Sequence, residues 1–261
     1  MLTIREYKKA ATLEEAWQLN QKKPNRVMGG MMWMRLPKGN VATMIDLCDL
    51  GLDKIEETEE NFSIGAMVTL RQLELHEGIA AYTKCAMKEA LRHIVGVQFR
   101  NLATVGGSVF GRFGFSDVLT IMLALNAQVE LYKGGIIPLA QFVDMKYDRD
   151  ILVRVIIPKG AASCAYQSVR IAKTDFPVLT CAAAVTAEGV KVAVGARPAK
   201  AALVKGETLA LPITAEKARA YAEYAASVLY TESNPRGSAK YRTHLIKVLV
   251  ERCLVALGGN D

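Results

Sequence analysis

The stretch from Gly96 to Asp117 places the strongest constraint on the fold of this 261-residue chain. It contains five glycines in 22 residues and shows neither the period of a helix nor the alternation of a long strand. A loop of this length inside a compact chain is usually functional or disordered. Its valine, phenylalanine and leucine content argues against disorder. We therefore predict a functional loop.

Regular elements are predicted on both sides of this loop. Thr12 and Glu15 form a capping box at the start of one helix, and Thr69 and Ser116 cap two others. The helices expected in the first part of the chain cover 13–20, 70–75, 79–94 and 117–125. The strands expected there cover 25–28, 43–47, 62–66, 127–132, 136–139 and 151–157.

The residues after Pro158 predict a three-strand meander followed by a helix pair. The strands are expected over 163–171, 178–187 and 190–195, and the helices over 215–229 and 238–257. We predict an α+β fold in two parts. The first domain covers residues 1–160, and a smaller C-terminal domain with a three-stranded antiparallel sheet and helices covers residues 161–261.

The composition is that of a globular protein, with 51% hydrophobic and 23% charged residues, which excludes a disordered or collagen-like chain. The 33 basic residues outnumber the 26 acidic ones, and most of the excess follows Pro158. Only 7% of residues are aromatic and no tight basic cluster occurs, which disfavours nucleic-acid binding and leaves a partner protein or a solvated face. No long apolar run and no signal-peptide core occur, so we expect a cytoplasmic protein without a membrane span.

The cysteines and histidines do not form a metal-binding pattern. The five cysteines lie at least 17 residues apart and include no C-x-x-C pair, so neither a zinc ribbon nor an iron–sulfur site is supported. The three histidines are equally scattered. We expect no metal site, and any redox chemistry has to come from a bound cofactor.

Two glycine pairs are the candidate ligand-binding elements. Gly29 and Gly30 follow a predicted strand, and Gly106 and Gly107 lie within the long loop. Glycine permits close approach of the backbone to a ligand, and successive N–H groups form an anion-binding nest. Two nests on separate loops suit a diphosphate cofactor, although either pair taken alone more often marks a plain turn. The Rossmann, P-loop and nucleophile-elbow signatures are absent.

Six motifs occur in the order and near the spacing of one known family. They are Gly29-Gly30 after a strand, Ser63-Ile64-Gly65-Ala66, Gln98-Phe99-Arg100-Asn101 leading into Thr104-Val105-Gly106-Gly107, Asp117 at a helix start, Ile151 to Pro158, and Arg236-Gly237-Ser238-Ala239-Lys240-Tyr241-Arg242. Together they resemble the FAD-binding medium subunit of molybdenum hydroxylases, of the xanthine dehydrogenase and carbon monoxide dehydrogenase type. The resemblance implies a two-part flavin-binding domain of the vanillyl-alcohol-oxidase (PCMH) type over 1–160 and a domain of the CO dehydrogenase flavoprotein type over 161–261.

The resemblance also implies roles for particular residues. Backbone N–H groups of both glycine loops and the Thr104 hydroxyl hold the FAD pyrophosphate, and Asp117 accepts hydrogen bonds from the adenosine ribose, with a helix-dipole role as its alternative. Leu152 lies near the adenine, Gln167 contacts the cofactor, and Phe176 lies beside the isoalloxazine with Ile94 opposite; core packing explains these last two equally well. The implied cofactor-binding residues are Val27, Met28, Gly29, Gly30, Met31, Met32, Trp33, Thr104, Val105, Gly106, Gly107, Ser108, Asp117, Leu152, Gln167 and Phe176. None is implied to be catalytic.

The sequence departs from the family pattern at two places. Met31 and Met32 stand where many relatives have a small polar pair, and Phe113-Gly114 stands where many have Ser-Pro. Both changes remove hydroxyl donors near the phosphates. They predict weaker FAD binding, or binding through other side chains.

The sequence therefore predicts an FAD-binding electron-transfer subunit of a heteromeric molybdenum hydroxylase. Molybdopterin is expected on a large partner subunit and 2Fe-2S clusters on a small one, with electrons passing through FAD to NAD or another acceptor. A free-standing flavin reductase of the same fold and a scaffold subunit that has lost FAD are the alternatives. The substrate of the complex is not predicted, because its pocket would lie on another polypeptide.

Overall fold

The computed structural model describes residues 2–160 and 163–258 and contains three sheets. A parallel sheet in the order β1-β3-β2 is formed by β1 (Leu2–Lys9), β2 (Arg26–Met28) and β3 (Gly39–Asp46). An antiparallel sheet in the order β4-β5-β8-β6-β7 is formed by β4 (Ile55–Glu57), β5 (Asn61–Gly65), β6 (Gln128–Leu131), β7 (Gly135–Pro138) and β8 (Leu152–Pro158). The last, also antiparallel, has the order β12-β11-β10-β9 and is formed by β9 (Ser163–Val169), β10 (Leu179–Thr186), β11 (Gly189–Gly195) and β12 (Ala202–Leu203).

The α-helices lie between and against these sheets. They are α1 (Leu13–Asn20), α2 (Leu70–Leu75), α3 (Glu77–Tyr82), α4 (Ala86–Leu91), α5 (Val97–Arg100), α6 (Val105–Phe110), α7 (Asp117–Ala124), α8 (Leu139–Asp144), α9 (Ala215–Val228) and α10 (Ala239–Gly258). The side chains of Thr12, Thr69 and Ser116 accept hydrogen bonds from backbone N–H groups at the starts of α1, α2 and α7, as the sequence predicts.

Strand β10 is buried on both faces, because helices cover the four-stranded sheet from two sides. Cys181 and Ala183 pack into a core with α9 and α10, whereas Ala182 and Ala184 pack into the main core with α7. The main core therefore contains residues from both sides of the domain boundary predicted at residue 160. Ala161 and Ala162, at this boundary, lie outside the described residues.

Several elements differ from the sequence prediction. The glycine-rich loop contains two short helices, α5 and α6, because hydrogen bonds and the Thr104 cap offset the low helix propensity of its glycines. The helix predicted over 79–94 is two helices, since Lys84 and Cys85 take left-handed backbone angles. The C-terminal sheet has four strands instead of three. The two-residue strand β12 was too short to be detected, and β1, β4 and α8 were also missed.

A buried ion pair holds the start of the glycine-rich loop against α2. Arg100 donates from Nε to Glu74 Oε2 at 2.8 Å, and Arg71 donates to the same oxygen at 2.9 Å. Arg100 also donates to the Ile94 carbonyl at 3.0 Å. Burial raises the pKa of Glu74, but its hydrogen bonds and charge interactions with both arginines outweigh burial and leave that pKa below its usual value.

Glu74→Gln is expected to lower the unfolding free energy at pH 7 by about 3 kcal/mol, because it leaves the Arg100 charge buried without a counter-ion. A carboxyl whose pKa is lowered by folding stabilises the protein above the unfolded-state pKa, and that contribution disappears as the pH falls through the folded-state pKa. The difference between variant and parent should therefore shrink in acid. Urea unfolding at several pH values measures it.

Glu89→Gln is the matched control, because Glu89 pairs with Arg92 on the exposed surface. Its effect is expected to stay within about 0.5 kcal/mol. Equal unfolding free energies for the two variants at pH 7 would contradict the structural role of Glu74.

Candidate functional site

A long cleft of about 910 Å³ runs between the three sheets. It has the size expected of a cofactor site. One wall is formed by the segment that follows β2 and by the glycine-rich loop. Another is formed by residues 147–152 and by the connection between β9 and β10.

The first glycine loop, Gly29 to Trp33, presents backbone donors to this cleft. All five of its residues line the cleft. Within the part of the chain that the structure describes, none of their amide N–H groups has a hydrogen-bond acceptor. Four of the five residues are only partly buried, so these successive amides are available to bind an anionic group, as in an anion-binding nest.

The two glycines of this loop are required by a close backbone approach. A Cβ atom at Gly29 would lie 2.6 Å from Thr104 Oγ1. At Gly30 it would overlap the carbonyl group of Leu102 and lie 2.9 Å from the nitrogen of Ala103. The pair therefore lets the first loop pack directly on the second.

The second glycine loop does not form the nest that we predicted from sequence. Four of its backbone donors are already used inside the protein, at N···O distances of 2.8–3.1 Å. The donors are Val105, Gly106, Gly107 and Ser108, and their acceptors are Val68 O, Ala66 O, Thr104 Oγ1 and Thr104 O respectively. The segment that contains Ala66 and Val68 therefore takes two of these amides, and the first turn of α6 takes the other two.

One feature of this loop, the Thr104 hydroxyl, remains consistent with a ligand-binding role. The Thr104 hydroxyl accepts the Gly107 N–H and so keeps its own proton to donate into the cleft. Gly106 has a packing role instead, since a Cβ there would lie 2.7 Å from Ala66 O. Val105 is fully buried in the main core and is not among the residues that line the cleft.

The two methionines that depart from the family pattern have different surroundings. Met31 takes a left-handed φ of 57°. Met32 is 92% buried and packs into the main core. An apolar side chain at Met32 therefore serves packing, and the neighbouring free amides do not depend on it.

One end of the cleft is lined by an aromatic cluster (Trp33, Phe99, Phe113, Phe115 and Phe176). The ring of Trp33 stacks on Phe176 with centroids 5.5 Å apart and an interplanar angle of 30°. Phe115 lies 5.1 Å from Trp33 and 4.5 Å from Phe176. Flat rings with this spacing provide a surface on which a planar aromatic group can pack. Ile94, predicted to lie opposite Phe176, also lines the cleft.

Asp117 lies in the first turn of α7 and is held by two residues that sequence reasoning missed. Its Oδ1 accepts hydrogen bonds from the Tyr166 hydroxyl and, at 2.6 Å, from Arg170 Nη2. Burial raises the pKa of Asp117, and Arg170 opposes that rise. Burial lowers the pKa of Arg170, but Asp117 outweighs burial and the net shift is upward. Arg170 also lines the cleft, and its buried Nε has no hydrogen-bond partner among the residues that the structure describes.

Of the two remaining residues predicted to contact the cofactor, one lines the cleft and the other does not. Leu152 is buried and lines the cleft. Gln167 does not, and instead lies beside Arg252 and Val255 of α10 on the other side of the sheet. Side chains alternate along a strand, so Tyr166 reaches Asp117 and its neighbour Gln167 faces away. The structure therefore places Gln167 outside the lining of the cleft.

Neither a membrane-spanning helix nor a metal-ligand cluster occurs in the described residues. No helix within 2–160 and 163–258 is long and apolar enough to cross a membrane. Over the same ranges, no group of three or more histidine, cysteine, aspartate or glutamate side chains could hold a metal ion.

Comparison with known families shows the family to which the chain belongs. The family described as the FAD-binding domain in molybdopterin dehydrogenases matches residues 3–160. The chain belongs to this family. It is an oxidoreductase subunit of the molybdenum hydroxylase type, and its cofactor is FAD.

Individual relatives extend the likeness to nearly the full chain. The nicotine 6-hydroxylase medium subunit of Paenarthrobacter nicotinovorans is 27% identical, over 97% of this chain and 96% of the relative. Quinoline 2-oxidoreductase from Pseudomonas putida 86 superposes with a TM-score of 0.82 at 22% identity, over 97% of this chain and 96% of that one. Carbon monoxide dehydrogenase from Hydrogenophaga pseudoflava gives 0.81 at 22% identity, over 96% of each chain. These two structures share the mixed α/β fold.

The residues of the cleft fit FAD. Five free amides on one loop suit the pyrophosphate, a buried carboxylate suits a ribose hydroxyl, and the aromatic cluster suits a planar ring. The fit depends on the first glycine loop, because the second has little backbone donor capacity left.

Proposed function

We propose that this chain is the electron-transfer subunit of a heteromeric molybdenum hydroxylase. The observation that carries the proposal is the row of five free amides, Gly29 to Trp33, in a cleft that ends at an aromatic cluster. FAD supplies the redox chemistry when bound, accepting and releasing electrons one or two at a time. The chain binds it, orients it and shields it from water.

Each part of the cleft has a distinct task in this proposal. The amides of Gly29 to Trp33 and the Thr104 hydroxyl hold the pyrophosphate, and Asp117 accepts a hydrogen bond from the adenosine ribose through the oxygen that Arg170 leaves free. Leu152 packs near the adenine. Phe176 and Ile94 pack beside the isoalloxazine. Arg170 holds Asp117 in place through their ion pair.

The division of labour between polypeptides supports a heteromeric complex. Because the chain is similar over 97% of its length to a medium subunit, we assign the molybdopterin centre to a large partner subunit and the 2Fe-2S clusters to a small one. Electrons pass from those clusters through FAD to NAD or another acceptor. In this proposal residues 1–160 form the FAD-binding domain of PCMH type, and residues 161–261 form the C-terminal domain of CO dehydrogenase flavoprotein type.

Purification of the tagged chain from its native cells tests the proposal, with flavin, molybdenum and iron measured in the same preparation. We expect one flavin per copy of this chain, together with co-purifying polypeptides that carry molybdenum and iron–sulfur absorbance. A flavin-containing chain that purifies alone would favour a free-standing flavin reductase. A molybdenum complex that contains the chain and no flavin would favour a scaffold subunit.

A further inference from the structure

The C-terminal motif from Arg236 to Arg242 lies far along the chain from both glycine loops. Its last residue is an anchor. Arg242 is fully buried and donates to the carbonyl groups of Val178, Glu232 and Gly237. One guanidinium thereby joins α10 to the loop that precedes it (residues 229–238, called the breaker loop) and to the start of β10.

The breaker loop presents Arg236 in a fixed position. Asn234 and Gly237 exchange two backbone hydrogen bonds of 3.1 Å. The side-chain oxygen of Asn234 accepts the Arg236 N–H at 2.9 Å and the Arg242 Nη2 at 2.6 Å. Arg236 therefore stands on a turn that Arg242 braces from inside.

The Arg236 side chain meets the loop that carries Phe176. Its guanidinium carbon lies 4.8 Å from the centre of the Phe176 ring, within the range of a cation–π contact. Its Nη2 lies 3.4 Å from Asp175 Oδ1, and the same oxygen accepts the Phe176 N–H at 2.7 Å. Arg236 thus contacts both the ring of Phe176 and the carboxylate that fixes its backbone.

Phe176 links Arg236 to the cleft, because its ring also contacts the rings of Trp33 and Phe115. Trp33 belongs to the loop of free amides. A continuous chain of contacts therefore runs from the buried Arg242, through Arg236 and Phe176, to the loop assigned to the pyrophosphate.

We propose that Arg236 is a positioning residue for the cofactor cleft: it orders Phe176 and, through Phe176, Trp33, so that the C-terminal helix pair sets the affinity for FAD. This inference rests on the proposed FAD-binding function. It also assigns a task to the Arg236–Arg242 motif, namely to fix one aromatic ring in the cleft wall from a distant part of the sequence.

The test uses the fluorescence of Trp33. The chain has two tryptophans, so Trp17→Phe leaves Trp33 as the sole reporter. Acrylamide quenching of that variant measures how ordered the Trp33 environment is, and quenching by added FAD gives Kd. Arg236→Ala should make Trp33 more accessible to acrylamide and raise Kd about five- to tenfold, the range of one partly desolvated cation–π contact. Arg236→Lys should lie between parent and alanine variant, because it keeps the charge and loses the planar stack.

Two further variants separate positioning from a loss of fold. Lys240→Gln removes one positive charge from an exposed site of the same motif, and should leave both quantities unchanged. Phe176→Leu should raise Kd by itself, and Arg236→Ala should then add little, because both act through the same ring. Additive effects would overturn the proposal. The proposal would also be overturned if the parent binds FAD and Arg236→Ala has the same acrylamide quenching and the same Kd as the parent. Failure of the parent to bind FAD would instead contradict the proposed function, and the acrylamide measurement would still report on Arg236.

Discussion

Gly30→Val is expected to weaken FAD binding about 100-fold, which corresponds to an overpacking cost of about 3 kcal/mol. Any side chain at this position overlaps the carbonyl group of Leu102, and backbone atoms cannot rotate away as the end of a flexible side chain can. The first glycine loop must then move off the second. Its free amides lose the position from which they bind the pyrophosphate. Equilibrium dialysis with FAD measures the change.

Gly39→Ala provides the matched control, because Gly39 also lines the cleft but has room for a methyl group. A Cβ atom there would meet only the end of the Leu2 side chain, at 4.0 Å. Its Kd for FAD should stay within about twofold of the parent, since such a surface change costs under about 0.5 kcal/mol. Equal affinities for Gly30→Val and the parent would show that the first loop does not hold the cofactor.

Arg242→Met is expected to lower the unfolding free energy by about 4 kcal/mol, the cost of breaking a buried and fully hydrogen-bonded charged group. Methionine fills most of the same volume but cannot donate. The carbonyl group of Val178 then loses a donor in a buried setting, and those of Glu232 and Gly237 lose one in a partly buried setting. Burial lowers the pKa of Arg242, and its acceptors offset the cost of keeping the charge there. Urea unfolding followed by circular dichroism measures the loss.

His244→Gln, on the exposed side of the same helix, should change the unfolding free energy by less than about 0.5 kcal/mol. The unfolding free energy of Arg242→Lys should lie between those of the parent and of Arg242→Met, because an ammonium group reaches fewer of the four acceptors. A stable Arg242→Met variant would contradict the assignment of Arg242 as the anchor of the breaker loop.

Local sequence signals predicted most of the strands and helices that have strong caps or strong alternation. Ser116 begins α7 because its hydroxyl satisfies the Leu119 N–H, and that signal is visible in the sequence. Strand β1 lacks such a signal: almost all of its residues are exposed, and it forms because it pairs with β3. Pairing between distant segments is not encoded in a local pattern.

Parts of the site could be predicted where glycines are needed for close packing of the backbone. Contacts made by side chains from distant segments could not be predicted. Gly29 and Gly30 identified the first loop correctly as a cleft wall. Whether a backbone N–H group is free depends on which groups pack against it. The sequence therefore could not show that the carbonyl groups of Ala66 and Val68 accept hydrogen bonds from two N–H groups of the second loop. Arg170 and Tyr166 meet Asp117 across about fifty residues, a contact that one sequence does not reveal.

Binding of FAD through the first glycine loop is tested by the visible absorption spectrum of the chain. The purified chain is measured before and after addition of excess FAD and removal of the unbound cofactor, alone and in its assembled complex. We expect a protein-bound flavin spectrum that Gly30→Val abolishes and Gly39→Ala retains. A parent chain that stays colourless both alone and in the complex would contradict it.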